Sequence, residues 1–304
     1  MQKTLGKVLL NIFFQINRKI ACLKEHQIKI NQINSFYLDN HCKNEKTPIV
    51  FIHGFGDNLD SFTRVAAYFK KRRCIHIDLP GFSISDCPKD FGYTLESYGV
   101  WLRCFLDALG LTKCHLIGNS LGGGITLEAA IKFPEYLKSI TLLDCAGVIP
   151  EAQESFYHRL AAGDNAFNIT DVKSFKKFRK SIIQRKLPIP GAIDLYLGQD
   201  FAARNDWFNE IMHHLTQGLD KVEINEESKK VIQNHQLYKI QVPTLILWGD
   251  KDVLFPVEIG EIIHREIKNS EFNVYTGVGH CPQHEYPARV ARDIKIFWEK
   301  ENVA

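Results

Sequence analysis

The sequence predicts an α/β fold: a mostly parallel, eight-stranded sheet flanked by helices, with a helical cap inserted after the sixth strand. Three observations predict it. Short apolar runs alternate with helix-period segments from residue 47 to 144, and the same rhythm returns from 242 to 298. Between these halves, residues 150–238 carry helical patterns and no convincing strand. Finally, Cys114-His115-Leu116-Ile117-Gly118-Asn119-Ser120-Leu121-Gly122-Gly123 sets a tight Gly-x-Ser-x-Gly turn between an apolar strand and a helix. The 304 residues allow one large α/β domain with an insertion or two small domains. The pattern divides them into an amphipathic segment at 1–24, a core at 25–149 and 239–304, and a cap at 150–238.

In chain order, Leu5, Val8, Leu9, Ile12, Phe13, Ile16, Ile20 and Leu23 recur at helical spacing and make one apolar face. Lys3, Lys7, Arg18, Lys19 and Lys24 supply charge, and no acid precedes Glu25. Asn11, Gln15, Asn17, Arg18 and Lys19 interrupt the stretch, which falls short of the ~20 predominantly apolar residues of a membrane span. A cleaved signal fits poorly, because no clear small-residue cleavage site follows. Lys19 also stands where the lipoprotein-like Ile20-Ala21-Cys22 would want an apolar residue. Three readings stay open: a helix packed on the domain, a basic amphipathic helix making peripheral membrane contact through residues 3–24, and a signal or anchor.

Residues 28–31 and 35–38 read as an opening hairpin, and 47–52 as a buried strand ending at His53-Gly54-Phe55-Gly56. A helix over 61–70 and a strand over 74–79 follow. Thr94 to Leu109 has helical period, with Thr94 placed as N-cap and Gly110 just past the end. After the strand at 114–119 come a helix over 123–133 and a strand over 137–144. In the cap, helices are expected over 151–162, 172–184, 206–219 and 226–236. The last part adds a strand at 242–249, a helix at 257–267, a strand at 271–275 and a helix at 287–298.

The composition is that of an ordinary globular protein, with 45% hydrophobic and 24% charged residues. A net charge of +3 is too small to suggest a nucleic-acid partner. The eight cysteines include no C-x-x-C pair and no His/Cys ligand spacing, so buried free thiols in a reducing compartment are expected rather than a disulfide framework. No metal and no other cofactor is expected. A cytoplasmic or membrane-peripheral location is expected ahead of secretion.

The chemistry centres on Ser120. In a strand–turn–helix setting, glycines at 118 and 122 are needed because a Cβ there would collide with neighbouring backbone, and the serine is pushed above the sheet edge. A serine hydroxyl is a weak nucleophile unless a base takes its proton and a third group orients that base. The base candidate is His280, in Gly277-Val278-Gly279-His280-Cys281-Pro282, after the last strand. Asp250 and Asp252, in Trp248-Gly249-Asp250-Lys251-Asp252, are the acid candidates. All sit at the C-terminal ends of expected parallel strands, which brings them to one sheet edge. The backbone N–H groups of Phe55 and Leu121 are the candidate oxyanion hole. His53 is read as shaping its turn, and His76, His115 and His284 as structural or solvated.

These segments together make the chain resemble the α/β-hydrolase superfamily over about residues 30 to 300. The resemblance rests on His53-Gly54-Phe55-Gly56, Asp78-Leu79-Pro80-Gly81-Phe82, Gly118-Asn119-Ser120-Leu121-Gly122-Gly123, Trp248-Gly249-x-x-Asp252 and Gly279-His280-x-Pro282-x-x-Glu285-x-Pro287. Within it the chain is similar to capped bacterial lipases and esterases of the monoacylglycerol lipase type. The resemblance implies Asp252 as the acid, with Asp144 as a second candidate because some relatives carry the acid after the earlier strand. It also implies a serine hydrolase acting on carboxylic esters, of lipid or monoacylglycerol type, through an acyl-enzyme on Ser120. Dehalogenases and epoxide hydrolases of the fold carry an aspartate at the nucleophile position, against Ser120. The alternatives are a C–C bond hydrolase with the same triad and a non-catalytic ligand-binding protein. Phe156, Leu160, Phe167, Leu195, Tyr196 and Phe201 are candidates to line an acyl pocket, with Phe156 and Phe201 taken as substrate-binding.

Overall fold

The computed structural model describes residues 2–303 except 45, 151–153, 218, 220–225 and 227. Its sheet begins with a hairpin of β1 (Lys24–Ile30) and β2 (Ile33–Asp39). They join through Asn31 and Gln32, both at positive φ (47° and 69°), as a tight two-residue turn requires. The strands that follow are β3 (Ile49–Ile52), β4 (Cys74–Ile77), β5 (Cys114–Asn119), β6 (Leu137–Leu143), β7 (Thr244–Gly249) and β8 (Ser270–Tyr275). They form one eight-stranded sheet in the order β1-β2-β4-β3-β5-β6-β7-β8. Pairing is antiparallel at β1/β2 and β2/β4 and parallel everywhere else. This is the eight-stranded, mostly parallel sheet expected from the sequence.

Both faces of the sheet are covered, which explains the near-continuous apolar runs of the central strands. Successive side chains alternate between two cores: Val50 and Ile52 of β3 enter one, Ile49 and Phe51 the other. The first core is closed by α3 (Leu95–Ala108), α4 (Leu121–Lys132) and α9 (Val257–Glu266). The second is closed by α2 (Thr63–Ala66) and α11 (Pro287–Lys300), the latter following α10 (Pro282–Glu285). Among the described residues, four helices lie between β6 and β7: α5 (Phe156–Ala161), α6 (Val172–Ile182), α7 (Gly191–Ala203) and α8 (Asn205–Thr216). Two 3-10 turns, Ser228–Lys230 and Asn234–Lys239, lead back to the sheet.

Several elements differ from expectation. The helix expected over 61–70 contracts to α2 because turns occupy both flanks. The expected helix over 226–236 is replaced by the two 3-10 turns, and residue 227 lies outside the described residues. Residues 151–153 of the first expected cap helix and residue 218 of the third also lie outside them. Helix α7 was not expected at all. Its sequence has no one-sided apolar period because it packs on two sides. Gly198 faces Val172 and Phe175 of α6, while Ala192 and Tyr196 face α1 (Gln2–Ile20).

Helix α1 does lie on the domain, but not through its apolar stripe. Gly6 is its one buried residue, while Leu5, Val8, Ile12, Phe13, Ile16 and Ile20 are exposed. Its C-terminal end is pinned by Arg18, whose guanidinium donates to both Asp60 oxygens (2.8 and 2.6 Å) and to Glu25 (2.8 Å).

All eight cysteines are free; Cys74, Cys114, Cys145 and Cys281 are buried, and Cys22 and Cys87 are exposed.

Thr94 caps α3 through its Oγ1, which accepts from the Ser97 N–H at 3.1 Å. Thr94→Ala should lower unfolding stability by about 1 kcal/mol, read as a shifted denaturation midpoint at unchanged slope.

Candidate active site

The strand-to-helix turn at the end of β5 is built from backbone contact. A Cβ on Gly118 would lie 2.1 Å from the Gly122 carbonyl oxygen, and one on Gly122 would lie 2.3 Å from that of Ile52 at the end of β3. No side chain fits either gap, so α4 starts directly against the sheet. Ser120, between them, is held at φ 54°, ψ −118°, a backbone state that costs a non-glycine residue of order 1–3 kcal/mol. It persists because Ser120 is fixed at both ends: its N–H donates to Leu143 O (3.0 Å) and its carbonyl accepts from Gly124 and Ala146. Its hydroxyl is not used as a cap for α4.

His280 stands on the loop after β8, with its side chain 5% exposed. Its Nδ1 lies 2.7 Å from Asp252 Oδ2. The other Asp252 oxygen accepts from the N–H groups of Leu254 (2.8 Å) and Phe255 (3.2 Å). A carboxylate anchored in this way fixes the imidazole tautomer with Nδ1–H toward Asp252 and leaves Nε2 as the free basic nitrogen. Asp250 is engaged elsewhere, accepting from the Gly277 N–H at 2.6 Å.

Asp144, the second acid candidate, does not hold the imidazole. It is fully buried at the end of β6, with Oδ1 accepting from Gly249 N–H (2.9 Å) and Oδ2 without a hydrogen-bond partner. Burial first, and then the adjacent Asp252 carboxylate, push its pKa well above the ordinary carboxyl range, favouring the neutral acid. Asp144, Asp252 and His280 place their ligand-type atoms within 4.8 Å of one another. The 2.7 Å His280–Asp252 separation is a direct hydrogen bond, shorter than the roughly 3.3 Å ligand–ligand spacing around a tetrahedral zinc with ~2 Å bonds. The group is a carboxylate–histidine pair rather than a metal cage.

The remaining candidates fall as follows. Gly54 brings the β3 loop against the turn, since a Cβ there would lie 3.2 Å from Ser120 Cβ. The N–H groups of Phe55 and Leu121 donate to no other group among the described residues, and that of Leu121 begins a helix. They are unengaged donors beside the serine. His53 links two loops: Nδ1 donates to Gly54 O (2.8 Å) and Nε2 accepts from Leu79 N–H (3.1 Å). That engagement leaves its nearby Asp78, at 3.7 Å, without a shared proton.

Ser120 and Leu121 open onto a cavity of ≈ 40 Å³ whose walls include Phe55, Phe156, Tyr157, Phe167, Met212, Leu215 and Phe255. Phe156 and Phe167 therefore line it as expected. Phe201 does not. It turns into the cap's own aromatic cluster, 5.2 Å from Phe175 and 5.4 Å from Phe208, and covers Gly56. Leu195 and Tyr196 are likewise absent from the cavity wall, as is Leu160.

Three residues to which the sequence reading gave no role, Asn119, Gln283 and Glu285, tie the site together. Asn119 donates from Nδ2 to the carbonyls of Leu143 (3.1 Å) and His280 (3.0 Å), and its Oδ1 accepts from Gln283 Nε2 (2.9 Å). This joins the serine turn to the histidine loop. Glu285, fully buried, accepts from Gly279 N–H (2.8 Å) at one oxygen and from Gln184 and Arg185 N–H (3.1 and 2.6 Å) at the other. His280 N–H in turn donates to Ile182 O (2.9 Å). The histidine loop is thus stitched to the C-terminal end of cap helix α6. Position alone could have flagged Asn119, beside the serine, and Glu285, in the Gly-His-x-Pro segment; most of their partners lie a hundred residues or more away.

The family model described as alpha/beta hydrolase fold matches residues 47–287, and the chain belongs to this family. Lipase 3 of Moraxella sp. (strain TA144) is 30% identical over 251 residues, covering 82% of this chain and 76% of that lipase. The crystal structure of a membrane phospholipase A superposes with a TM-score of 0.90 at 28% identity, covering 99% of this chain and 93% of that one. The 2-hydroxy-6-oxo-2,4-heptadienoate hydrolase of Pseudomonas putida is 25% identical over 267 residues, covering 84% of this chain and 90% of the relative. The chain is a hydrolase of this fold with lipase and C–C hydrolase relatives.

Replacing Glu285 by Gln turns one acceptor oxygen into a donor facing backbone N–H groups. We expect a loss of about 3 kcal/mol in urea unfolding, with turnover falling even where the variant is fully folded.

Proposed function

We propose that this protein is a serine hydrolase that cleaves carboxylic esters carrying an apolar acyl chain, through an acyl-enzyme on Ser120. One observation carries the reading: among the described residues, the wall of the cavity beside Ser120 has no charged side chain. Away from the serine and its neighbouring N–H groups, its polar side chains are already engaged, Tyr157 Oη with Gly147 N–H (2.7 Å) and Thr216 Oγ1 with Met212 O (2.8 Å). Such a surface suits a hydrocarbon chain. A heptadienoate-type substrate of a C–C hydrolase brings a carboxylate, which would meet no cation among the described residues of this wall, at a large desolvation cost.

In the proposed reaction, His280 Nε2 takes the Ser120 hydroxyl proton as Oγ attacks the ester carbonyl. Asp252 accepts the Nδ1–H and offsets the imidazolium charge. The N–H groups of Phe55 and Leu121 donate to the oxyanion as it forms. Collapse of the tetrahedral intermediate expels the alcohol, which takes its proton from Nε2. Water then gives a proton to the same nitrogen and attacks the acyl-enzyme; as the second tetrahedral intermediate collapses, Ser120 Oγ leaves with the proton from Nε2 and the acid is released. The cavity holds on the order of three water molecules at ≈ 40 Å³, so a longer acyl chain requires the cap to open. The lipid-type ester and the basic amphipathic N-terminal segment together support peripheral membrane contact through residues 3–24.

Hydrolysis across a ladder of p-nitrophenyl esters tests this reading. A serine-dependent optimum at medium or long acyl chains is expected, with Ser120→Ala lowering kcat by about 10³-fold or more. Near-full turnover by Ser120→Ala, or faster cleavage of 2-hydroxy-6-oxo-2,4-heptadienoate than of any ester, would overturn it. Leu215→Trp, which fills the cavity from α8, should move the optimum to shorter chains.

A further inference from the structure

The apolar stripe of α1 faces solvent. At 100° per residue, Leu5, Val8, Ile12, Phe13, Ile16 and Ile20 occupy an arc of about 140°. Each is about half exposed, from 47% at Val8 and Phe13 to 54% at Ile16. The side turned to the domain is a different one: it carries Gly6 and Arg18, with Gly6 so close to α7 that an added Cβ would lie 1.9 Å from Ala192 O. The amphipathicity of α1 is therefore not satisfied within this chain. A contiguous exposed apolar strip of this kind marks a contact with something else.

Charge and composition identify the occupant. Lys3, Lys7 and Lys19 are exposed on α1 and form no ion pair among the described residues, and no acid lies on the helix. No helix among the described residues is long and apolar enough to cross a membrane. An exposed apolar stripe, exposed unpaired lysines with no acid on the helix, and polar residues too frequent for a span together fit a helix lying in the plane of an anionic lipid surface.

The packing of α1 also gives this surface a route to the pocket. Helix α7 is wedged between α1 and α6. It carries Phe201, which covers Gly56 beside Phe55, and α6 is stitched to the histidine loop. We propose that the exposed face of α1 docks on an anionic bilayer, and that this docking is transmitted through the Gly6–Ala192 contact to α7, loosening the cap over Ser120. The second part rests on the ester hydrolysis proposed above; the docking itself does not.

The experiment uses the full chain with vesicles of 1:1 phosphatidylglycerol/phosphatidylcholine and of phosphatidylcholine alone. Sedimentation should show binding to the anionic vesicles, weakening with salt, and much less to the neutral ones. Ile12→Glu/Ile16→Glu should lower binding by about 100-fold or more while leaving soluble-ester hydrolysis without vesicles unchanged. Ser120→Ala should bind as the parent does, which separates a failure of docking from a failure of the hydrolase reading. Anionic vesicles should raise the parent's rate on p-nitrophenyl butyrate several-fold. Gly6→Leu, which pries α1 from α7 without altering the stripe, should bind vesicles yet lose that rise. Parent-like binding by the double glutamate variant overturns the docking surface, as does a stable dimer through α1 that ignores vesicles. An unchanged butyrate rate in bound parent, or a full rise in Gly6→Leu, overturns the transmission. A circular-dichroism melt of each variant confirms that it is folded.

Discussion

The structure depends on how closely the first turn of α4 approaches the end of β3. At Gly122 the separation from the Ile52 carbonyl leaves no room for a side-chain carbon, and at Gly118 the same holds toward Gly122 itself. With those two positions reduced to backbone, the chain can reverse in a few residues. Ser120 is then forced into a positive-φ state at the rim of the sheet. The rest follows from parallel strand order: β3, β5, β7 and β8 all end on that rim, so the loop holding Phe55, the serine turn, the Asp252 loop and the His280 loop meet there. Strain at the serine is tolerated because hydrogen bonds to its neighbours on β6 and α4 leave it no relaxed alternative.

Around this rim two neighbouring carboxyl groups have unlike surroundings. Asp252 is surrounded by donors: two backbone N–H groups and the imidazole. Asp144, a few ångströms away, has one donor and a fully buried position, which favours its neutral form. Two adjacent carboxyl groups thus stand in unlike surroundings, Asp252 among donors and Asp144 where burial favours the neutral acid. The thiols of Cys145 and Cys281 are likewise raised by burial, so they do not compete with the serine as anionic nucleophiles.

The core of this arrangement was legible in the sequence because its signals are local. The Gly-x-Ser-x-Gly turn, the Thr94 cap and the apolar strands each depend on residues within one element, and they appear where expected. The choice of Asp252 over Asp250 needed the resemblance, which also raised Asp144 as a rival; the 2.7 Å contact to the imidazole is visible only in three dimensions. Helix α7 escaped notice for a physical reason: a helix wedged between two others has no polar face to set a period. Phe201 was misassigned to the pocket because α7's orientation could not be read from its composition. Asn119, Gln283 and Glu285 stayed hidden because long-range hydrogen bonds leave no periodic trace in a chain.

The Glu285 clamp has a bearing on how this molecule can change over time. Insertions between β6 and β7 are commonly pictured as interchangeable lids set upon a fixed machine. Here one carboxylate holds the main chain of residues 184 and 185 and of Gly279 at once, and the imidazole's own peptide N–H rests on the carbonyl of Ile182. Part of the lid is therefore in the frame of the machine. A lineage that trades this insertion for another has to re-create, from new residues, the support under its histidine. Drift in substrate preference is easier at α5 and α8, which line the cavity, than at the end of α6.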